Sequence, residues 1–173
     1  MSLFENTGVM IDGNVSTSKT LAIYTGKKVT LKDILVSEKE VPEEFFIDMK
    51  SQESWKKLKG AKKEERITKD GFKYTYSEGG MIFPDNLDNA SRTIVTGEGG
   101  STPSRFKHVI KSPESGRLRR LTPVELEKLN MFPTDHTAGQ TDTKRAFFMG
   151  NALVVGVIRK IGKSLSKKID ELS

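Results

Sequence analysis

Arg119-Arg120-Leu121-Thr122-Pro123-Val124-Glu125 carries every residue type that the opening of a helix needs. The Thr122 hydroxyl can accept from a first-turn amide, Pro123 brings a preset φ to the first helical position, and Glu125 can reach back to the Thr122 amide. Leu126 and Leu129 follow at helical spacing, so the helix is expected to run to about Leu129. Downstream, a last helix is expected from near Asn151. There Val154, Val157 or Ile158, Ile161, Leu165 and Ile169 form an apolar stripe, with Lys160, Lys163, Lys167 and Lys168 mostly off it. The β-branched run Val154-Val155-Gly156-Val157 is also compatible with a strand, but the periodicity after it favours helix.

Upstream the signals are shorter. Residues 78–100 are rich in Gly, Pro, Asp and Asn and read as long loops around a short strand, Arg92-Thr93-Ile94-Val95. Asp70-Gly71 sits between Arg66-Ile67-Thr68 and Phe72-Lys73-Tyr74-Thr75-Tyr76, a hairpin signal with Phe72, Tyr74 and Tyr76 on one face. The mixed charges of Ala61 to Arg66 read as solvated surface. A helix is expected over Gln52 to Lys59, turning Trp55 and Leu58 inward and ending at Gly60. Thr30-Leu31-Lys32-Asp33 has the spacing of a capping box before a short helix, and Thr7 to Tyr24 reads as irregular strands and turns. The fold class expected from these elements is α+β: a small, irregular, mostly antiparallel domain over residues 1–120, then a helical tail over 121–173.

Composition narrows the chemistry. The 173 residues contain 29 Lys+Arg against 23 Asp+Glu, a net charge of +6 that favours a polyanionic partner without proving one. With Cys 0, disulfides, cysteine-ligated zinc and a thiolate nucleophile within this sequence are all excluded. His108 and His136 are too few for a histidine-rich metal site. No apolar run approaches the roughly 20 residues that span a bilayer, and no apolar signal segment opens the sequence. A cytoplasmic protein without a membrane partner is therefore expected.

Two motifs in the right order point to a family. Arg119 to Glu125, continued by Leu126-Glu127-Lys128-Leu129 and Phe132-Pro133, resembles motif IX of the DNA (cytosine-5)-methyltransferases of bacterial restriction-modification systems. That motif reads Arg-x-Leu-Thr-Pro-x-Glu, then Leu-x-Gly-Phe-Pro. Met149-Gly150-Asn151-Ala152-Leu153-Val154-Val155 looks like motif X, Gly-Asn-Ala/Ser-Val-x-Val before a helix. Ser91 to Thr96 with Gly97-Glu98-Gly99-Gly100 resembles the end of the family's target recognition domain, and Tyr76-Ser77-Glu78-Gly79-Gly80 falls where a first recognition loop would lie. The likeness is sharp from about Tyr74 to Leu165. One departure is Met131, which stands where a Gly usually precedes Phe-Pro.

The resemblance implies a mechanism and a division of labour. The family swings the target cytosine out of the duplex, because its reactive carbon is inaccessible in the stack. A Pro-Cys thiolate attacks C6, a Glu stabilises protonation at N3, and the methyl passes from S-adenosylmethionine to C5. The motifs that hold this chemistry, Phe-x-Gly-x-Gly, Pro-Cys-Gln and Glu-Asn-Val, do not occur here. The chain is therefore expected to be the DNA-recognition and C-terminal part of such an enzyme, as a cloned fragment or a split subunit. Alone it should be inactive, and it should need the N-terminal catalytic domain or subunit as partner and double-stranded DNA as substrate. By the same resemblance the terminal helix packs on that domain. Without it the exposed helix face should lead to a homodimer, a tendency to aggregate, or altered packing of that helix.

The implied DNA-binding residues are Thr93, Ile94, Thr96, Gly97, Glu98, Gly99, Gly100, Ser101, Ser104, Arg105, Lys107 and His108. Glycines let backbone approach a groove, and short polar side chains can meet base edges or phosphates. Composition alone favours an ordinary flexible hairpin loop, and the motif context reverses that reading. Arg105, Lys107, His108, Lys111, Arg117 and Arg120 read either as phosphate clamps or as a solvated strand-and-turn surface. Arg119, from its motif position, is expected to brace the recognition domain. Asn151, Ala152 and Leu153 are the implied cofactor wall for S-adenosylmethionine. No metal site and no catalytic residue are expected. Two rivals remain: a stand-alone sequence-specific DNA-binding module, and an acid–base hydrolase using Glu78, Asp85 or Asp88, for which no specific carboxylate pairing is legible.

Overall fold

The Thr122 capping box forms as read. In the computed structural model, which describes residues 4–172, the Thr122 hydroxyl accepts from the Glu125 amide at 3.3 Å and the Glu125 carboxylate accepts from the Thr122 amide at 2.8 Å. Helix α2 (Pro123–Leu129) follows. It is preceded by the antiparallel pair β5 (Val109–Lys111) and β6 (Leu118–Arg120), which pairs Ile110 with Arg119. Residues 1–3 and 173, the outer ends of the two expected domains, lie outside the described residues.

Three other sequence signals form with altered detail. Thr30 and Asp33 cap a 3-10 turn over Leu31–Ile34, the Asp33 carboxylate accepting from the Thr30 amide at 2.7 Å. Helix α1 (Met49–Lys59) starts earlier than expected and buries Trp55. The Asp70-Gly71 turn joins β3 (Lys62–Ile67) to β4 (Lys73–Glu78), with Gly71 at φ 83°. The charge run Ala61 to Arg66 is thus not plain surface. It is mostly solvated, yet Glu64, Glu65 and Arg66 face Tyr76, Thr75 and Tyr74 across a ladder, so strand and exposure coexist.

Three expectations are corrected. Asp12 and Gly13, at φ 48° and 80°, make a tight two-residue turn, and the first part of the stretch read as irregular is a regular hairpin, β1 (Thr7–Ile11) with β2 (Asn14–Ser18), while residues 19–24 carry no regular element. Arg92 to Val95 forms no strand. Ile94 is buried in the core, and Arg92 is drawn to Asp85 and to the carbonyls of Phe106 and Lys107. A helix unread in the sequence, α3 (Asp142–Asn151), is capped by Thr141. The chain breaks at residues 152–154 before α4 (Val155–Leu172). Asn151 therefore ends one helix rather than opening the last.

One cluster makes the main core: Leu31, Ile34, Ile94, Ile110, Leu121, Leu126, Ala146 and Met149. It joins residues on both sides of position 120. A second, smaller cluster packs Trp55 with Ile47 and Val109. The β1–β2 hairpin, the β3–β4 hairpin and α4 bury no side chain fully, and α4 leaves Val157, Ile161 and Leu165 more than half exposed. Among the described residues no helix is long and apolar enough to cross a membrane.

Candidate nucleic-acid interface

The expected recognition loop, residues 93–108, stands on a buried polar floor. Glu98 is 5% exposed and His108 fully buried. The Glu98 carboxylate accepts from the His108 amide at 2.6 Å and lies 3.0 Å from His108 Nδ1, while His108 Nε2 lies 3.0 Å from the Ser91 hydroxyl. Lys107, also buried, donates from Nζ to the carbonyls of Gly100 at 2.9 Å and Thr102 at 2.8 Å. Arg120 donates to the same Gly100 carbonyl at 2.9 Å. Arg105 reaches the carbonyls of Leu58, Gly60 and Gly79 and pairs with Glu78.

This geometry revises the expected contacts. Ile94, Glu98, Lys107 and His108 face inward, and their polar atoms hold the loop in shape. Arg105 and Arg120 are likewise engaged with main-chain carbonyls, and Arg117 pairs with Glu43, so the basic stretch is a scaffold before it is a phosphate clamp. Thr93, Thr96, Gly97 and Ser101 are exposed, Gly99, Gly100 and Ser104 half-buried. Burial pushes the Lys107 ammonium below its ordinary range, with Arg120 adding to the effect.

Behind the loop lie groups that no local signal marked. Lys59, the last residue of α1, is 1% exposed and donates to the Lys107 carbonyl. Burial, assisted by Arg92, lowers its pKa to about 8. Asp85 accepts from Arg92 Nε at 2.6 Å and from the Val109 amide at 2.9 Å. Burial pushes its carboxyl up, but those bonds outweigh it and hold the pKa below the ordinary value. Glu127, fully buried, is held by Thr137 and by Arg145 at 3.0 Å. These partners lie far from it in sequence. Glu78 pairs with Tyr76 and Arg105, Asp85 with Arg92, so neither forms an acid–base pair with the other or with Asp88.

Arg119 and Glu125 form the central brace. Arg119 donates two parallel bonds to the carboxylate, at 2.9 and 2.7 Å, and both side chains are inaccessible. Glu125 Oε1 also accepts from the Val36 amide at 3.1 Å, so the pair ties α2 to the N-terminal half. Arg119 is thus held inside the molecule, paired with Glu125.

Helix α3 packs closely on the loop over residues 93–108 at two glycines. A Cβ on Gly150 would lie 2.5 Å from Thr96 Cα, and one on Gly99 would lie 2.9 Å from the Thr143 carbonyl oxygen. The helix is also tied to α2, because the Asn130 amide donates to the Met149 carbonyl at 2.8 Å. Its end carries the expected cofactor wall. Asn151 is exposed and donates back to Phe147 at 3.0 Å, Ala152 is half-buried against the core, and Leu153 is 68% exposed. Beside Ala152 opens a cleft of about 380 Å³ lined by Thr30, Ile34, Asn130, Met149 and Val154 among others, with no carboxylate. Met131, the departure from the motif, has φ 61°, the left-handed region that favours glycine. Its thioether lies over Gly156, where a Cβ would collide with it.

A family model described as C-5 cytosine-specific DNA methylase matches residues 6–167. The Type II methyltransferase M.Sau3AI of Staphylococcus aureus is 41% identical over 170 residues, 98% of this chain and 39% of that protein. The chain thus spans about two fifths of the length of the relative it matches. No solved structure matches it.

Proposed function

Because the chain belongs to the C-5 cytosine-specific DNA methylase family, we propose that it is the DNA-recognition and C-terminal part of a DNA (cytosine-5)-methyltransferase. Residues to about 120 form the target recognition domain, and those from 121 form the tail that seats it on a catalytic domain. The observation that carries this reading is the cysteine count. The family's reaction needs a thiolate, and these 173 residues contain none. The nucleophile therefore comes from outside them, and what they contribute is recognition and support.

The chain's own residues divide into three tasks. Thr93, Thr96, Gly97 and Ser101 are placed to meet a groove, since they are exposed on the loop. Glu98, Lys107, His108, Arg105 and Arg120 keep that loop in shape, so that its few polar contacts are preorganised. Asn151, Ala152 and Leu153 offer one wall to S-adenosylmethionine, which supplies the methyl group when bound. The fit is partial: the adjoining cleft is lined without a carboxylate to meet a ribose, so that group belongs to the partner domain. The exposed stripe of α4 is the surface on which that domain would rest.

The test is reconstitution. Purified alone with labelled S-adenosylmethionine and duplex DNA, the chain should transfer no methyl. Adding in trans a catalytic domain that carries Pro-Cys-Gln should start transfer to C5 of cytosine. Turnover by the chain alone, or tight sequence-specific binding with no response to any such domain, would overturn the proposal; the latter would favour a stand-alone DNA-binding module.

A further inference from the structure

The tip of the loop uses its acceptors and its donors unequally. Two of its carbonyls are consumed: Gly100 O accepts from both Lys107 and Arg120, and Thr102 O accepts from Lys107. Its donors are idle. Among the described residues, no hydrogen bond within the chain uses the amide N–H of Gly99, Gly100, Ser101 or Thr102. The stretch lies at the surface, with Ser101 and Thr102 exposed, and the chain bends there with Gly100 at φ 79°. A backbone with two carbonyls withdrawn and four successive amides left over has lost part of its repulsion for anions and kept its attraction.

The two cations strengthen this polarity. Lys107 and Arg120 both donate to the carbonyl of the peptide unit whose N–H belongs to Ser101. A hydrogen bond to a carbonyl polarises its peptide and makes the attached N–H a better donor, more so when the bond is charge-assisted. Lys107 is buried and Arg120 half-buried, and burial lowers the pKa of both, so their charge is screened less than at an open surface. Glu98 offsets part of this charge, yet it is already engaged with His108.

We propose that the main-chain amides of Gly99, Gly100, Ser101 and Thr102 form a phosphate site, with Lys107 and Arg120 as positioning residues that act through the Gly100 carbonyl. This rests on the reading that the chain binds DNA, and its natural ligand is a backbone phosphodiester of the duplex. The loop tip then fixes register on the strand. Reading of base edges falls to side chains beside it, Thr93 and Thr96 first.

The experiment is an amide-resolved NMR titration of the full chain with three probes: inorganic phosphate, sodium chloride at matched ionic strength, and a short cytosine-containing duplex. Phosphate and duplex should both move the amide protons of Gly99 to Thr102 downfield, Ser101 most, and chloride should not. Arg120→Met and Lys107→Met should each reduce the Ser101 shift and weaken duplex binding roughly tenfold, equally for all sequences. If a variant loses its dispersed spectrum, the wild-type titration decides alone. Movement with duplex but not with phosphate would mean these amides meet bases, and overturns the site. So does a duplex that moves other residues and leaves these four still. A duplex that moves nothing overturns the DNA-binding reading itself, so the two failures are told apart.

Discussion

The floor of the loop over residues 93–108 and helix α4 use similar residue types in opposite surroundings. Beneath the loop, Lys59, Lys107 and Glu98 are at most 5% exposed, as are Arg119, Glu125 and Glu127 around α2; each has partners at hydrogen-bond distance, while Glu98 Oε2, Arg119 Nε and Glu127 Oε2 have none. On α4 the lysines are exposed, the ion pairs are surface pairs, and Val157, Ile161 and Leu165 beside them are more than half exposed. Charge is expensive to bury unless it is fully bonded. A protein that buries this much charge near one loop has that loop's shape specified by many mutually dependent bonds. The helix, by contrast, carries no buried residue to fix its place.

The sharpest way to break this contrast is at Arg119. Arg119→Met leaves the Glu125 carboxylate buried without its two charge-assisted bonds and should cost about 3–5 kcal/mol in urea unfolding. Replacing both residues by apolar ones should recover part of that loss. A single variant within 1 kcal/mol of wild type, on the scale of a surface pair, would mean that the pair is no brace.

Glycine offers the next comparison, within one residue type. Gly150→Ala drives a Cβ into the backbone of Val95 and Thr96 and should destabilise by about 1–3 kcal/mol. Gly162→Ala, in α4 with nothing within 4 Å, should instead stabilise by up to about 1 kcal/mol. Thermal melts of both variants check the signs, and equal shifts would erase the distinction between the regions.

The smallest effect is a pH dependence. Lys59 has a folded pKa of about 8 against an ordinary 10.5, so the unfolded chain binds more protons between those values. Stability carried by this group is lowest below pH 8 and rises as pH climbs through that window; Lys107 contributes with the same sign. Lys59→Met should flatten the rise by on the order of 1 kcal/mol. Parallel stability–pH curves for variant and wild type would show that Lys59 is not the buried charge described.

Local signals were legible in proportion to how local their bonding is. Thr122 and Glu125 cap each other three residues apart, and Asp70-Gly71 turns on its own backbone preference, so both could be read directly. Asp12-Gly13 carries the same turn chemistry and was passed over amid the surrounding glycines. Helix α3 was missed because Phe147, Phe148 and Met149 do not make a clean stripe: Ala146 and Met149 are buried while both phenylalanines stay substantially exposed. Arg92 to Val95 has strand composition, yet the Arg92–Asp85 pair and the carbonyls of Phe106 and Lys107 draw it into an irregular path. The loop glycines and the Gly-Asn turn stood out as motifs. That most of the basic residues around them face inward did not.

Membership in the methylase family, the positions of both motifs, the absence of a thiol and the helix-opening chemistry were fixed by residue order, because each depends on identity and short spacing alone. Which cations hold the loop, which glycines seat α3 against it, and which loop groups stay free for a ligand were decided by the tertiary structure. Those bonds join residues distant along the chain, such as Lys59 with Lys107 and Gly150 with Thr96. Desolvation, which determines whether a charge is structural or available, comes into being only when such segments pack together.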